Sequence, residues 1–255
     1  MIRPKLIAVL PSQLLRGFIS HYWMSLDNLD TAYSILPDGA VDLVINQSAR
    51  STQIWAYGTS TSKSVVALEQ QTHYLGIRFK PGKSRHFIRA AANELTDRCE
   101  PAEGLLSFCL ESVLENIVNS DTPNQLNTVL ESHIAKRQPV SAKIDDVVAF
   151  IEATHGATRI DETAATFGIS RRQLERTFLK TVGVSPKLFC SITRFSHAGS
   201  LIQRASTSLA DVALKSGYSD QSHMNHEFRR LASLSPAMYT RGDVAFLQDV
   251  TLPSS

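Results

Sequence analysis

The sequence predicts an α+β chain of two domains, an antiparallel β-rich amino-terminal domain with flanking helices and an all-α carboxy-terminal domain of two helix-turn-helix units joined by a long helix. Two observations predict it. Residues 1–90 carry short strand-like runs cut by Pro37-Asp38-Gly39 and Pro81-Gly82, turn chemistry of antiparallel β structure. The second half carries a degenerate repeat: Ala164-x-x-x-Gly168, Phe178 and Gly183-Val184-Ser185-Pro186 are echoed by Ala213-x-x-x-Gly217, Phe228 and Ser233-Leu234-Ser235-Pro236. In each copy a small residue lets two helices approach, and a glycine four residues later supplies the positive φ of a sharp turn.

In chain order, strands are expected over 32–36, 41–46, 54–58 and 74–79, forming a sandwich or small barrel. A short helix is expected over 84–92 and a longer one over 105–118, where Leu106, Leu110, Val113, Leu114 and Ile117 recur at helical spacing. A further helix over 125–135 carries the stripe Leu126, Val129, Leu130 and Ile134, which can pack on the β domain or on a second chain. The polar stretches 119–124 and 136–141 are linker candidates. The boundary is placed at the second, giving domains 1–138 and 139–245.

After that boundary Ser141 can cap a helix with the buried stripe Ile144, Val147, Val148 and Ile151, ending at Gly156. The first unit takes helices over 158–167 and 170–182. Ser185-Pro186, a cap followed by proline at the first helical position, opens the connecting helix to about residue 204. Ser208 and Asp211 make a capping-box-like start for a helix over 209–216, a second reading helix follows over 220–231, and Ser235-Pro236 starts a last short helix.

The net charge of +2 is small, but its distribution is uneven: residues 1–140 hold 13 Lys/Arg against 13 Asp/Glu, residues 155–241 hold 12 against 6. The positive excess lies on the repeat. Cys99, Cys109 and Cys190 are too scattered for a disulfide framework or zinc site and read as packing thiols, although an arginine neighbour could lower the pKa of Cys99. His21, His73 and His86 lack the spacing of a metal centre. Met1 to Lys5 lead into no sustained apolar stretch, so neither a secretory leader nor a membrane span is expected, and the chain reads as cytoplasmic.

With Leu174 and Phe178 facing inward, Arg171, Arg172, Glu175 and Arg176 project outward from the half of a reading helix that enters a major groove. Arginine can donate two bonds to guanine, and glutamine can pair with adenine. Arg172, Glu175 and Arg176 are the expected base readers, with Ser170, Arg171 and Gln173 holding phosphates or capping the helix. In the second copy Met224 and Phe228 face inward, so Gln221, Ser222, His223 and His226 are expected on bases and Arg229 on phosphate. Asp220 suits a helix cap, because a carboxylate repels phosphate. His223 and His226 have no third ligand nearby that would make a zinc site.

Ile169 to Pro186, Ser208-Leu209-Ala210-Asp211-Val212-Ala213, Gly217-Tyr218-Ser219-Asp220-Gln221-Ser222-His223 and Leu234-Ser235-Pro236 resemble the DNA-binding domain of the AraC/XylS transcription regulators. The resemblance covers residues 141–241. It implies two helix-turn-helix units bridged by one rigid helix, each inserting a reading helix into successive major-groove faces. The chain departs from it at His226, where the family often has arginine, and Arg194-Phe195-x-x-Ala198 resembles the bridging helix's Arg-Leu-x-x-Ala. The first half is similar to a cupin-like sensor domain seen in front of such modules, through Tyr22-Trp23, Leu36-Pro37-Asp38-Gly39, Asp42-Leu43, Gly76-Ile77-Arg78-Phe79 and Pro81-Gly82. Asp38, Asp42 and Arg78, charged residues in an apolar strand-rich segment, either pair with one another or mark an effector pocket.

The expectation is a sequence-specific transcriptional regulator and not an enzyme, with no catalytic residues, cofactor or metal. Its expected partners are promoter DNA, a small-molecule effector, a second copy of the chain and, at activated promoters, RNA polymerase; no membrane is involved. Two alternatives stand beside it: a catalytic β domain delivered by the DNA module, with Cys99 or the Asp42/Arg78 pair carrying chemistry, and an architectural protein that binds by deforming DNA.

Overall fold

The computed structural model describes residues 6–115, 117–118, 121–204 and 208–240. The amino-terminal half is built on β1 (Leu6–Val9), β2 (Ile19–Asn28), β3 (Ala32–Ile35), β4 (Asp42–Gln47), β5 (Thr52–Tyr57), β6 (Ser64–Ala67), β7 (Thr72–Phe79) and β8 (Cys99–Pro101). Six of them form one antiparallel sheet in the order β1-β2-β7-β4-β5-β8, and β3 pairs with β6 in a second, two-stranded sheet.

The large sheet is apolar on both faces, which explains the imperfect alternation of β4. Leu43, Ile45, Leu75 and Ile77 point into the main core with Phe79 and Phe87. Val44 on the opposite face joins Trp23 and Tyr74 in a separate cluster. The main core is closed by α1 (Ala92–Leu95), α2 (Glu111–Leu114) and α3 (Thr122–Arg137). Leu126 and Leu130 are fully buried there, with Val129 and Ile134 packed beside them. The α3 stripe therefore belongs to this domain rather than to a second chain.

Among the described residues of 105–118 only Glu111–Leu114 is helical. Residues 105–107 instead pair with 87–89, through Arg89 N to Leu105 O at 2.8 Å and Ser107 N to Phe87 O at 2.9 Å, so the helical spacing there recorded burial alone. The expected helix over 84–92 is a 3-10 turn, Ser84–His86, followed by a turn, an isolated bridge from Ile88 to Leu106 and bends before α1. In the first linker candidate, residues 122–124 open α3, with Pro123 in its first turn; Asn119 and Ser120 lie outside the described residues. Of the three cysteines only Cys190 is buried, whereas Cys99 and Cys109 are exposed.

The carboxy-terminal half holds α4 (Lys143–Ala153), α5 (Ile160–Thr166), α6 (Arg171–Val182), α7 (Pro186–Arg204), α8 (Leu209–Lys215), α9 (Gln221–Ala232) and α10 (Pro236–Thr240). Helix α4 begins after Ala142 rather than Ser141: the Asp145 carboxylate accepts from Ala142 N at 3.0 Å, a cap supplied from inside the helix. It ends three residues short of Gly156, whose φ is +72°. The chain between α3 and α4, residues 138–142, is not helical. Residues 241–245 of the expected second domain lie outside the described residues. Among those described, no helix is long and apolar enough to cross a membrane.

Candidate nucleic-acid interface

The two copies fold alike. Helices α5 and α8 are 7 residues each, α6 and α9 are 12 each. Gly168 and Gly217 make the inter-helix turns with φ of +59° and +78°, and Gly183 and Ser233 end the reading helices in the left-handed region. The copies are offset by 49 residues at the turn glycines and by 50 at the helix ends, so the second turn carries one additional residue.

In the first unit the Ser170 hydroxyl accepts from Gln173 N at 3.2 Å and starts α6. Leu174, Phe178 and Val182 are buried at that helix's inner face, and Arg171, Arg172, Gln173, Glu175 and Arg176 are exposed. Arg171 binds Glu175 at 2.9 Å and Asp161 at 3.1 Å, so this arginine and Glu175 neutralise each other across one helical turn. Arg172 and Arg176 have no acidic partner among the described residues, which leaves them as the uncompensated charge of this face.

In the second unit Asp220 accepts from His223 N at 2.8 Å, the cap its chemistry predicts, and the bonded amides hold its carboxyl below the ordinary aspartate value. Met224, Phe228 and Leu231 are buried; Gln221, Ser222, His223, His226 and Arg229 are exposed, and Asn225 is half-buried. The His223 ring stands edge-on to Tyr218, with its Nδ1 3.2 Å from Ser219 Oγ, so its orientation is fixed before any ligand arrives. No group of three potential metal ligands occurs among the described residues.

Helix α7 locks the units together. Phe189 meets Phe178 at 5.4 Å between ring centres, and Phe195 meets Phe228 at 4.7 Å. Arg194, noted in the sequence only as part of a motif, donates to Gly156 O at 2.8 Å and lies 3.7 Å from Glu227. Glu227 is buried and also accepts from Ser191 Oγ at 2.7 Å and from Arg230 at 3.4 Å. The spacing of α9 gave Glu227 no role, because only the fold shows its carboxylate turned inward onto Ser191, Arg194 and Arg230.

The β domain is seated on both units. Thr59 Oγ1 donates to Val182 O at 2.8 Å and Thr96 Oγ1 to Gly183 O at 2.6 Å, holding the carboxy end of α6. Lys83 and Arg85 pair with Asp145 of α4 at 3.0 and 2.8 Å, and despite partial burial these partners hold its carboxyl down at about 2. Lys63 N bonds Leu231 O of α9 at 2.8 Å. Leu36, just after β3, is buried in the second unit's core with Ile192 and Phe195.

Behind residues 35–39, between the two sheets, lies a cavity of about 370 Å³. Asp38, Asp42 and Arg78 meet on its wall: Arg78 NH1 bonds Asp42 at 2.6 Å and NH2 bonds Asp38. Burial pulls Arg78 down to about 10, leaving it charged at neutral pH, and pushes Asp42 up to about 7 against the hydrogen bond from Trp23 Nε1. The three residues both pair with one another and line a pocket. Its aromatic wall, Trp23, Tyr33, Tyr57 and Tyr74, escaped the sequence reading because β pairing assembles it from four separate strands. Cys99 lies at the same cavity; although the residue is exposed, partial desolvation of its sulfur raises the thiol against a hydrogen bond with Tyr57, so the expected lowering by an arginine does not hold.

Residues 163–242 match the family described as a helix-turn-helix domain, and residues 7–101 match a domain of unknown function, DUF6597. The chain is 31% identical over 109 residues to the transcriptional activator RhaS of Klebsiella pneumoniae, covering 42% of this chain and 39% of RhaS. It is 29% identical over 147 residues to the transcriptional regulator MtrA of Neisseria gonorrhoeae, covering 58% of this chain and 47% of MtrA. The chain thus spans less than half the length of these relatives. Among solved structures, ToxT of Vibrio cholerae is similar over 86% of this chain and 98% of its own, at 10% identity and a TM-score of 0.48. The DNA-binding domain of AdpA, solved with a target DNA, is similar over 40% of this chain and 93% of its own, at 28% identity and a TM-score of 0.38.

Proposed function

We propose, from the premise that residues 163–242 form a helix-turn-helix domain of the AraC type, that the whole chain is a transcriptional regulator whose β domain senses a small molecule. The single observation that carries the reading is the duplicated pair of capped, Phe-anchored helices held by one connector, with polar tips exposed in both copies. The tips are the part that reads bases in a major groove. Arg172, Arg176, Gln221, Ser222, His223 and His226 are assigned to bases, and Ser170, Gln173 and Arg229 to phosphates. Arg171 is assigned to phosphate and Glu175 to bases, once DNA competes with their mutual ion pair.

The domains of this reading are 1–138 and 139–245, and the chain acts in the cytoplasm. The cavity with Asp38, Asp42 and Arg78 is assigned as the effector pocket. Support for coupling comes from the strap over 35–39, which alternates between two environments: Ile35 and Asp38 line the cavity, while Leu36 enters the second unit's core and Gly39 abuts Phe189. Two further partners complete the reading, a second copy of the chain and RNA polymerase at activated promoters.

Arg172→Ala tests the assignment. Binding to the selected site should weaken by ~1–3 kcal/mol while binding to mismatched DNA stays within a few tenths, whereas equal loss on both would assign Arg172 to phosphate. Size-exclusion chromatography of the chain with and without DNA tests the second copy.

A further inference from the structure

A single side chain on the connector touches both helix-turn-helix units. Arg194, near the middle of α7, donates through Nη1 to Gly156 O at 2.8 Å, in the loop between α4 and α5. Its Nη2 lies 3.7 Å from Glu227 of α9, and its guanidinium carbon stands 5.7 Å from the ring centre of Tyr218, in the turn between α8 and α9. Beside it the units meet directly: at Gly217, whose φ is +78°, a Cβ would fall 2.9 Å from the Ala157 Cβ.

Both ends of this tie are themselves held. The Gly156 loop is seated on α7 by contacts that leave the second unit out: the His155 ring stacks on His197 at 3.7 Å and 5°, and a Cβ at Gly156 would fall 2.2 Å from Cys190 O. Glu227 is buried and accepts from Ser191 Oγ at 2.7 Å and from Arg230 at 3.4 Å. The ring pairs Phe178 with Phe189 and Phe195 with Phe228 seat each unit on α7 chiefly by burying apolar surface, an attraction without direction. A guanidinium differs, because its N–H groups leave a planar fork at fixed angles. With a carbonyl of one unit on one arm and a carboxylate of the other unit near the second, the fork sets the rotation of α9 against the α4–α5 loop. Compared with apolar residues of the same size, a buried ion pair adds little to stability; what it can add is one fixed arrangement.

We propose that Arg194 is a positioning residue for DNA recognition: by tying Gly156 to Glu227 it fixes the angle between α6 and α9, and so the spacing of the two boxes that the chain accepts. The inference rests on the two-helix reading above and adds the residue that sets the spacing.

The full chain is titrated with DNA fragments carrying the selected site as found, and with one base pair inserted or removed between its boxes, a change of ~3.4 Å and ~35°. The parent chain should bind the altered fragments at least ~tenfold more weakly, since one helix then loses its bases. Arg194→Lys keeps the charge and loses the fork, and Arg194→Met combined with Glu227→Met removes both charges together. Each should bind the original site within about fivefold of the parent while its preference for the original spacing shrinks to ~threefold or less. A general loss of stability weakens binding to every fragment alike and leaves that ratio unmoved, so the ratio reads positioning alone. A spacing preference as strict in both variants as in the parent overturns the role of Arg194 and leaves the two-helix reading standing. A parent chain indifferent to spacing overturns that reading and the inference with it. Should Arg194→Lys not fold, the double variant carries the test; should neither fold, Arg194 serves stability and the proposal is overturned.

Discussion

The hydroxyl of Thr59 donates a 2.8 Å hydrogen bond to the carbonyl of Val182, the last residue of the first reading helix. The contact is fully buried at Thr59 and joins a loop of the β domain to the element that carries Arg172 and Arg176. Thr59→Val keeps the shape and removes the donor, leaving a helix-end carbonyl without that partner. The expected cost is ~1–3 kcal/mol, seen as faster amide hydrogen exchange at residues 182–184 relative to the main β core. Unchanged exchange would remove this bond from the seating of the domain.

Glu227 sits among Ser191, Arg194 and Arg230 with 7% of its surface exposed. Glu227→Ala strands Arg194, half of the tie between α9 and Gly156, and should lower stability by ~3–5 kcal/mol in thermal or urea unfolding. Replacing both Glu227 and Arg194 by methionine should recover part of the loss, since no buried charge is then left alone. A double variant as unstable as the single would show that the pair is not the reason.

Gly39 has φ of +73°, and a Cβ there would fall 2.5 Å from the Phe189 ring. Gly39→Ala should therefore combine backbone strain with a clash against the connector helix, destabilising the chain by ~1–3 kcal/mol. The same substitution at Gly104, which also has positive φ but meets nothing within 4 Å, isolates the backbone part and should cost less.

Acid should loosen the β domain before it affects the ion pairs of Asp145, the two buried imidazoles together outweighing Asp42, whose raised value works in the opposite sense over the same interval. Burial lowers both His21 and His86 to about 4, with nearby positive charge adding to the effect, so the folded state keeps them neutral while the unfolded chain takes up protons from about pH 6.5 downward. Their contribution to stability is present above that range and is lost as pH falls from about 6.5 toward 4. Asp145, held at about 2, loses its contribution only below about pH 4. The melting temperature should drop between pH 7 and pH 5, and His21→Gln should flatten that slope. A melting temperature independent of pH over this interval would contradict the burial of both imidazoles as neutral groups.

The two reading helices were legible in the sequence because their signals are local: caps at Ser170 and Asp220, turn glycines at 168 and 217, and apolar anchors four residues apart. The strands over 32–79 were legible in part for the same reason. The longest strand, β2, was not, since Ile19–Asn28 is buried along both faces and offers no alternation to read. Neither were β1, β6 and β8, short strands defined by their partners across the sheet. Asp38, Asp42 and Arg78 stood out as charges in an apolar stretch, and the fold brings them together. The cavity's aromatic wall and the threonines that grip α6 depend on contacts between residues more than 80 positions apart or on strand register, which no local pattern encodes.

In the proposed complex both reading helices engage one face of DNA together. Hydroxyl-radical footprinting of the full chain on a fragment selected from random genomic DNA tests it most directly. The account predicts two protected boxes on the same face, centred about one helical turn (~10 base pairs) apart, with Arg172→Ala releasing one and Gln221→Ala the other. A single protected box, or two boxes that respond alike to either substitution, would contradict it.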